Sequence, residues 1–243
     1  PIISDFEGQD ILSSFFKECC PNMQALFDSF LEQKKFYMLP HDELFSDRDG
    51  CTLYNPVENE STVFFSSDVH SLRLLSLIVH ELSHVKDFFD YFQHASSINV
   101  CLYQMRSPFC EVPAFYNQFR LYEYLLKNDI YKDAVMVELM DEFTELIDSM
   151  NNLLLLSMFS PSKLRKRSVS ISKEAILDDV LEHVQEECLF EFDEGAVVNE
   201  NVSLDDSIQY SYGPLLAIAM MDDEALYRKF SMIRGDYFDK DKL

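Results

Sequence analysis

The sequence is poor in basic residues and contains no long apolar run. Only 20 lysines and arginines stand against 43 aspartates and glutamates, which gives a net charge of −23. Proteins that bind the phosphate backbone of nucleic acids need concentrated Lys and Arg, so this balance argues against a nucleic-acid partner. A membrane helix needs about 20 apolar residues, and the runs here, such as LLLL at 153–156, are far shorter. We therefore expect a soluble protein without a membrane span.

The six cysteines contain no C-x-x-C pair, the spacing that thiolate zinc sites use. Cys19 and Cys20 are adjacent and the other four are scattered, which is not the pattern of a disulfide framework in a secreted protein. We expect free thiols and a reducing cytosol as the compartment. We expect Cys110 to be a buried packing residue rather than a nucleophile.

Apolar residues at three-four spacing predict a mainly helical chain. The predicted helices cover 9–36, about 68–94, Glu111 to Leu126, Ile130 to Met158, 173–190 and 212–233. Two segments rich in β-branched and aromatic residues, CTLY at 51–54 and STVFFSS at 61–67, predict short strands. Ser67 or Asp68 is the expected N-cap of the helix at 68–94. The expected fold class is mainly α with a small β-sheet preceding that helix (α+β).

A single domain can hold all these elements. With 47% apolar residues, the 243 residues can build one sizeable core. The segment SPSKLRKRSVSIS predicts a linker at 160–172, before a C-terminal helical part at 173–243. An acidic loop is expected at 191–207 within that part. We therefore treat 1–243 as one domain with a linker inside it.

The helix at 68–94 is apolar almost all round, which is typical of a central, buried helix. Its segment IVHELSHVKDFF nevertheless places His80, Glu81 and His84 among the apolar residues. Buried titratable groups cost free energy unless they are paired or bound to a metal. His80 and His84 are four residues apart and project from one face. Two imidazoles so placed can hold one Zn²⁺ at ~2.0–2.1 Å.

Glu81 completes H-E-x-x-H, the pattern of zinc peptidases. It lies beside His80, angled to the neighbouring side of the face, where it can take a proton from a metal-bound water without being a ligand. The composition predicts roughly 0.012 chance matches to this pattern, so two ordinary core histidines explain it poorly. We therefore predict a zinc site with Glu81 as general base.

A catalytic zinc of this kind takes three protein ligands and one water, and the third ligand has two candidates. Asp90 lies six residues after His84, the spacing of metzincins, but those families need a glycine where Asp87 stands, to turn the chain. Here the helix pattern continues instead. Glu111 opens the next predicted helix in EVPAF, with Ala114 three residues on. We favour Glu111 as the third ligand.

HELSHVKD followed by EVPAFYNQF resembles the gluzincin metallopeptidases, in particular the branch that includes the anthrax lethal factor catalytic domain. That branch carries H-E-x-x-H-x-x-D and then E-x-x-A on a following helix. Six residues match it: His80, Glu81, His84, Asp87, Glu111 and Ala114. The match covers only the segment 78–118. The resemblance implies a zincin-like metallopeptidase domain with Zn²⁺ as its cofactor.

Further roles are expected for residues around the motif. The resemblance implies that Tyr103 stabilises the oxyanion, because lethal factor-like enzymes place a tyrosine there; Tyr210 and Tyr212 are the alternatives. Asp87, one turn from His84, either accepts the far N–H of a ligand histidine or is a charge on the helix surface. The strand at 61–67 can offer its edge to an extended substrate.

We therefore expect a monomeric zinc metalloendopeptidase that hydrolyses peptide bonds of a protein or peptide substrate. Small bacterial effector proteases that act in the host cytosol, among them one that cleaves actin, share H-E-x-x-H, and this resemblance implies action in the host cytosol after secretion. Two alternatives stay open. They are an inactive zinc-binding interaction module and a metal-dependent amidohydrolase of a non-peptide substrate.

Overall fold

A computed structural model describes residues 3–40, 49–55, 57–92, 109–158, 170–172 and 201–238. Within these ranges the chain is mainly helical and has one three-stranded and one two-stranded sheet, which confirms the expected fold class. The helices are α1 (Asp5–Cys19), α2 (Pro21–Glu32), α3 (Ser71–Phe92), α4 (Glu111–Lys127), α5 (Lys132–Met158), α6 (Leu204–Met221) and α7 (Glu224–Phe238). The strands are β1 (Phe36–Leu39), β2 (Gly50–Asn55), β3 (Glu60–Ser66), β4 (Ser170–Ser172) and β5 (Asn201–Ser203).

The first predicted helical region, 9–36, consists of two helices followed by a strand. α1 starts earlier than expected, and α2 begins at Pro21, whose fixed φ suits a first helical turn. α2 ends where Lys34 adopts a positive φ of 54°. There the N–H of Lys35 donates to the carbonyl of Phe30 at 3.0 Å, which closes the helix terminus. The chain then enters β1, a strand that the sequence analysis missed.

The three-stranded sheet has the order β1-β3-β2. β1 runs parallel to β3, with Phe36 opposite Val63, and β2 runs antiparallel to β3, with Gly50 opposite Phe65. Both edges of β3 are therefore paired within the sheet. The expectation that the strand at 61–67 offers an edge to a substrate is wrong, and β2 is the outer strand beside α3.

Helix α3 is the centre of the fold and packs against α4 and the sheet. Its fully buried apolar side chains are Leu72, Val79, Leu82 and Val85. Its N-cap is not Ser67 or Asp68 as expected, because the helix starts at Ser71. The side chain of His70 caps it instead, since its Nδ1 accepts a hydrogen bond from the Arg73 N–H at 3.3 Å.

Helices α4 and α5 closely follow their predicted bounds, but α5 does not bury its most apolar face. Its buried side includes Val135 and Leu146 together with two carboxylates, Glu138 and Glu142. Its exposed side carries several large apolar residues: Met136, Val137, Met140, Phe143, Ile147 and Met150. On the buried side, Arg73 of α3 forms an ion pair with Glu142, which compensates the charge of this carboxylate.

The C-terminal elements differ from the expected pattern. α6 begins inside the expected acidic loop, and the expected helix at 212–233 is divided between α6 and α7. The division occurs because the Asp223 carboxylate caps α7, accepting a hydrogen bond from the Leu226 N–H at 3.0 Å. α6 packs against α4 and α5. β4 lies within the expected linker and pairs with β5, whereas 93–94, 160–169 and the expected helix at 173–190 lie outside the described residues.

Two expectations about the cysteines hold within the described ranges. Cys19, Cys20, Cys51 and Cys110 are thiols outside any disulfide bond, and burial raises the pKa of Cys20 to about 12. Cys110 is buried, as expected for a packing residue. No helix in these ranges is long and apolar enough to cross a membrane.

Candidate metal centre

Helices α3 and α4 bring His80, His84 and Glu111 together. The Glu111 oxygen Oε2 lies 3.1 Å from His80 Nε2 and 3.4 Å from His84 Nε2. His80 and Glu111 are 8% and 7% exposed, so the cluster is largely shielded from bulk water. One possible ligand atom from each of the three residues lies within 4.8 Å of the other two. These residues can therefore hold a metal ion.

The distances from the Glu111 oxygen to the two histidine nitrogens fit a tetrahedral metal ion. Two imidazole nitrogens and one carboxylate oxygen form the ligand set of one class of catalytic zinc site. Ligand atoms at ~2.0–2.1 Å from a tetrahedral zinc are about 3.3–3.4 Å apart, and the separations here are 3.1 and 3.4 Å. The same nitrogen and oxygen ligands also bind other divalent transition metals, so the geometry supports a metal site without identifying the metal.

Asp90, the alternative third ligand, does not join this cluster. It is exposed on α3 and forms an ion pair with Lys86 one turn earlier. The helix continues through Asp87 to Phe92 without the chain turn that would redirect Asp90 towards the histidines. The described structure therefore places Glu111, and not Asp90, beside the two histidines.

The close contact between His84 and Glu111 changes the proton affinities of both groups. Burial alone would lower the pKa of His84, but the Glu111 carboxylate, together with Glu81 and Asp87, raises it to about 9. Burial likewise opposes ionisation of Glu111, yet His84 and His80 hold its pKa well below its usual range. At neutral pH the metal-free pair is imidazolium and carboxylate, so a metal that binds here must displace a proton.

Glu81 lies beside the cluster, in the wall of a cavity of about 310 Å³ that all three cluster residues also line. The hydroxyl of Thr52 on β2 donates a hydrogen bond to Glu81 Oε2 at 2.6 Å. The other oxygen, Oε1, lies over Gly50, where an added Cβ would stand 3.4 Å from it. Thr52 of β2 therefore binds one carboxylate oxygen of Glu81. Gly50 has no side chain that could cover the other oxygen.

The second ring nitrogen of His80 has a partner that sequence analysis did not suggest. Gln118 on α4 places its Oε1 2.8 Å from His80 Nδ1. Asp87 was one candidate for such a role. Asp87 is 7% exposed and lines the 310 Å³ cavity, so its interpretation as a helix-surface charge is wrong. Its negative charge contributes to the raised pKa of His84.

The tyrosines proposed for the oxyanion fall in different places. Tyr103 lies outside the described residues, and Tyr212 is 49% exposed and lines neither cavity at the site. Tyr210 and Tyr54 both line the 310 Å³ cavity. The Tyr54 hydroxyl donates to Asn59 at 2.7 Å, and Tyr210 also lines the second cavity at the site.

A second cavity, of about 660 Å³, meets the first at the candidate metal centre. Both cavities are lined by Gly50, His80, Glu81 and Tyr210. The second cavity extends towards α5 and Arg73, and its other charged lining residues are Asp49, Arg73, Glu142, Glu145 and Asp148. Glu81 therefore borders both cavities.

Helix α6 approaches Glu111 so closely that only glycine fits at position 213. A Cβ added to Gly213 would stand 2.7 Å from the Glu111 Cβ and 3.4 Å from the Phe115 ring. Carbon atoms in contact normally lie ≈ 3.5–4.0 Å apart, so any side chain here must displace Glu111 or α6. The packing of α6 thereby helps to fix the position of the third cluster residue.

Three residues that shape the site were missed in the sequence analysis: Thr52, Gln118 and Gly213. Thr52 and Gln118 carry no local signal, because their contacts depend on how β2 and α4 pack against α3. Gly213 does carry one, since an isolated glycine inside a predicted helix often marks a close approach of another element.

No protein-family model, curated protein or solved structure matches this chain. The resemblance to gluzincins therefore stays a prediction that depends on the motif residues. The assignment of the site depends on the geometry of His80, His84, Glu111 and Glu81.

Proposed function

We propose that the chain is a zinc-dependent metalloendopeptidase. The observation that carries this proposal is the position of Glu81, a buried carboxylate beside the cluster of His80, His84 and Glu111 but outside it. Structural zinc sites are closed by four protein ligands, whereas catalytic sites use three and keep one position for water. Three ligands with a separate carboxylate in the same cavity are the groups that zinc-assisted hydrolysis needs.

The chain's own residues supply the proton transfers of the proposed reaction. His80, His84 and Glu111 would hold the zinc ion, which would supply a Lewis acid able to lower the pKa of water to about 7 and to polarise a carbonyl. Glu81 accepts the proton of the attacking water through Oε1, because Oε2 is held by Thr52. Glu81 then returns this proton to the amine nitrogen as the peptide bond breaks. One water and one peptide bond give one carboxylic acid and one amine.

Strand β2 is the proposed platform for the substrate. It is an outer strand of the sheet, and its residues 50–54 line the 310 Å³ cavity beside Glu81. An extended peptide can add to such an edge through main-chain hydrogen bonds. Thr52 contacts Glu81 of α3, while its neighbour Leu53 is 58% exposed. The side chains of β2 therefore alternate between the two faces of the sheet. We assign the oxyanion contact to the hydroxyl of Tyr210.

The test compares wild type with Glu81→Gln in a proteome mixture and with purified actin, and measures new protein N-termini. Gln is nearly isosteric, so the variant should keep zinc and thermal stability but lose at least ~10²-fold in cleavage rate. Glu123→Gln, the same change at an exposed residue of α4 that lines neither cavity, is the matched control and should cleave as wild type does.

Other results would favour the alternatives. One zinc per chain with no new N-termini would support a zinc-binding interaction module. Cleavage of small amides but not of proteins would support an amidohydrolase. Full cleavage by Glu81→Gln would mean that the base lies elsewhere.

A further inference from the structure

A chain of hydrogen bonds leads from His80 away from the metal centre. His80 Nδ1 lies 2.8 Å from Gln118 Oε1, and Gln118 Nε2 donates to Glu142 Oε1 at 2.5 Å. Arg73 donates to the same Glu142 oxygen. Gln118 and Glu142 are 2% and 5% exposed. These bonds therefore lie in a medium of low dielectric, where polar contacts are strong and mismatched partners are costly.

The Glu142 carboxylate decides which way the Gln118 amide points. A carboxylate only accepts hydrogen bonds, so it must face the amide NH₂ group, and the carbonyl oxygen of Gln118 then faces His80. That carbonyl oxygen also only accepts, so His80 Nδ1 must carry a hydrogen. Nε2 is then the ring nitrogen that can offer a lone pair to a metal, and Nε2 is the atom that lies against Glu111.

We propose that Gln118, oriented by Glu142, is a positioning residue that sets the tautomer and ring orientation of His80 for metal binding. This inference deepens the proposed zinc site and rests on it. Gln118 acts through His80 and touches neither substrate nor the reacting atoms. The role depends on the order of donors and acceptors across α3, α4 and α5, and not on the volume of the side chains.

Metal affinity is the direct readout of this role. Outer partners of ligand histidines change metal affinity or activity by about 10–100-fold when they are removed. Gln118→Leu removes the acceptor for His80 Nδ1, and we expect it to weaken zinc binding within that range in a competition titration with a chromophoric chelator. Glu142→Gln keeps the side-chain volume but no longer dictates the orientation of the Gln118 amide. We expect a smaller loss of zinc affinity in this variant.

A swap of the two side chains separates hydrogen-bond order from packing. In Gln118→Glu alone, the new carboxylate faces that of Glu142. We expect zinc affinity to fall at least tenfold, as it does when the hydrogen-bond partner of a ligand histidine is removed. In the double variant Gln118→Glu/Glu142→Gln, the new Gln can donate to the new Glu and accept from Arg73. We expect this pair to restore zinc affinity to within about threefold of wild type, a strong departure from additivity.

Glu123→Gln is the matched control. Glu123 is exposed on α4, the helix that carries Gln118, and lines neither cavity at the site, so zinc affinity should not change. In zinc-loaded protein labelled with ¹⁵N-histidine, the His80 Nδ1–H signal should be protected from exchange in wild type, in Glu123→Gln and in the swapped pair. It should be lost in Gln118→Leu.

Wild-type zinc affinity in Gln118→Leu, or a swapped pair no better than Gln118→Glu, would overturn the positioning role. These outcomes differ from failure of the proposed function. A wild-type protein that binds zinc but cleaves nothing contradicts the peptidase and leaves the role of Gln118 intact, because affinity and the histidine signal report it without catalysis.

Discussion

Gly213→Ala adds one methyl group at the closest contact between α6 and the metal centre. The new Cβ would stand 2.7 Å from the Glu111 Cβ, whereas carbon atoms pack best at ≈ 3.5–4.0 Å. Glu111 or α6 must therefore move by roughly 1 Å. That displacement is about half of a zinc–oxygen bond of ~2.0–2.2 Å, so Glu111 should lose its place beside the histidines.

The expected effect on zinc binding is larger than the effect on stability. Overpacking costs typically 1–3 kcal/mol, but replacing a helical Gly by Ala returns up to about 1 kcal/mol of helix propensity. The net loss of about 0–2 kcal/mol lowers the melting temperature by less than about 8 °C in a chain of this size. Zinc affinity should fall at least tenfold, by analogy with the loss of a ligand's support.

Gly8→Ala is the matched control for this prediction. Gly8 is also buried in a helix, and its added Cβ would stand 3.1 Å from Leu75 Cδ2, the end of a side chain that can rotate away. The zinc affinity of both variants is measured by competition titration, and their stability by thermal unfolding of protein freed of metal by a chelator. If Gly213→Ala bound zinc as tightly as Gly8→Ala, then α6 would not hold Glu111 in place and the reasoning would be refuted.

Four further predictions concern the cluster and Glu81. Glu111→Gln should weaken zinc binding at least tenfold while Asp90→Asn leaves it unchanged in the same titration; the reverse pattern would transfer the third ligand to Asp90. Glu111 raises the pKa of His84 to about 9. In protein freed of metal by a chelator, the ion pair of His84 with Glu111 should therefore contribute its full stability below pH 6.5, and this contribution should be lost as the pH rises through about 9. Zinc binding near pH 7 should release roughly one proton. Calorimetry in buffers of different ionisation enthalpy measures this number, and a result of no proton released would contradict the prediction. Thr52→Val should lower the turnover rate about tenfold through a mispositioned Glu81 with zinc content unchanged, and an unchanged rate would show that Thr52 does not position the base.

The helical part of the site could be predicted because its information is local. His80, Glu81 and His84 lie within five residues of one helix, so their spacing alone places the two histidines on one face and Glu81 on the neighbouring side. Glu111 required a second helix to pack against the first, and the apolar pattern of both helices indicated this only indirectly. The structure brings the four residues to one cavity.

The residues that the sequence could not indicate depend on tertiary register. Thr52 reaches Glu81 only because β2 is the outer strand, and the missed strand β1 is what makes β3 the central one. Gln118 reaches His80 because α4 crosses α3 at that level. The inward side of α5 could not be predicted either, since its apolar spacing indicates a helix but not that Glu142 is buried and paired with Arg73.

The most direct test of the account is anomalous X-ray diffraction at the zinc edge on crystals of the wild-type protein. We predict one anomalous peak bonded to His80 Nε2, His84 Nε2 and a Glu111 carboxylate oxygen, each at about 2.0–2.2 Å. The peak should be absent from crystals of a His80→Ala/His84→Ala variant. Zinc bound elsewhere, or bound with Asp90 in place of Glu111, would contradict the site proposed for this chain.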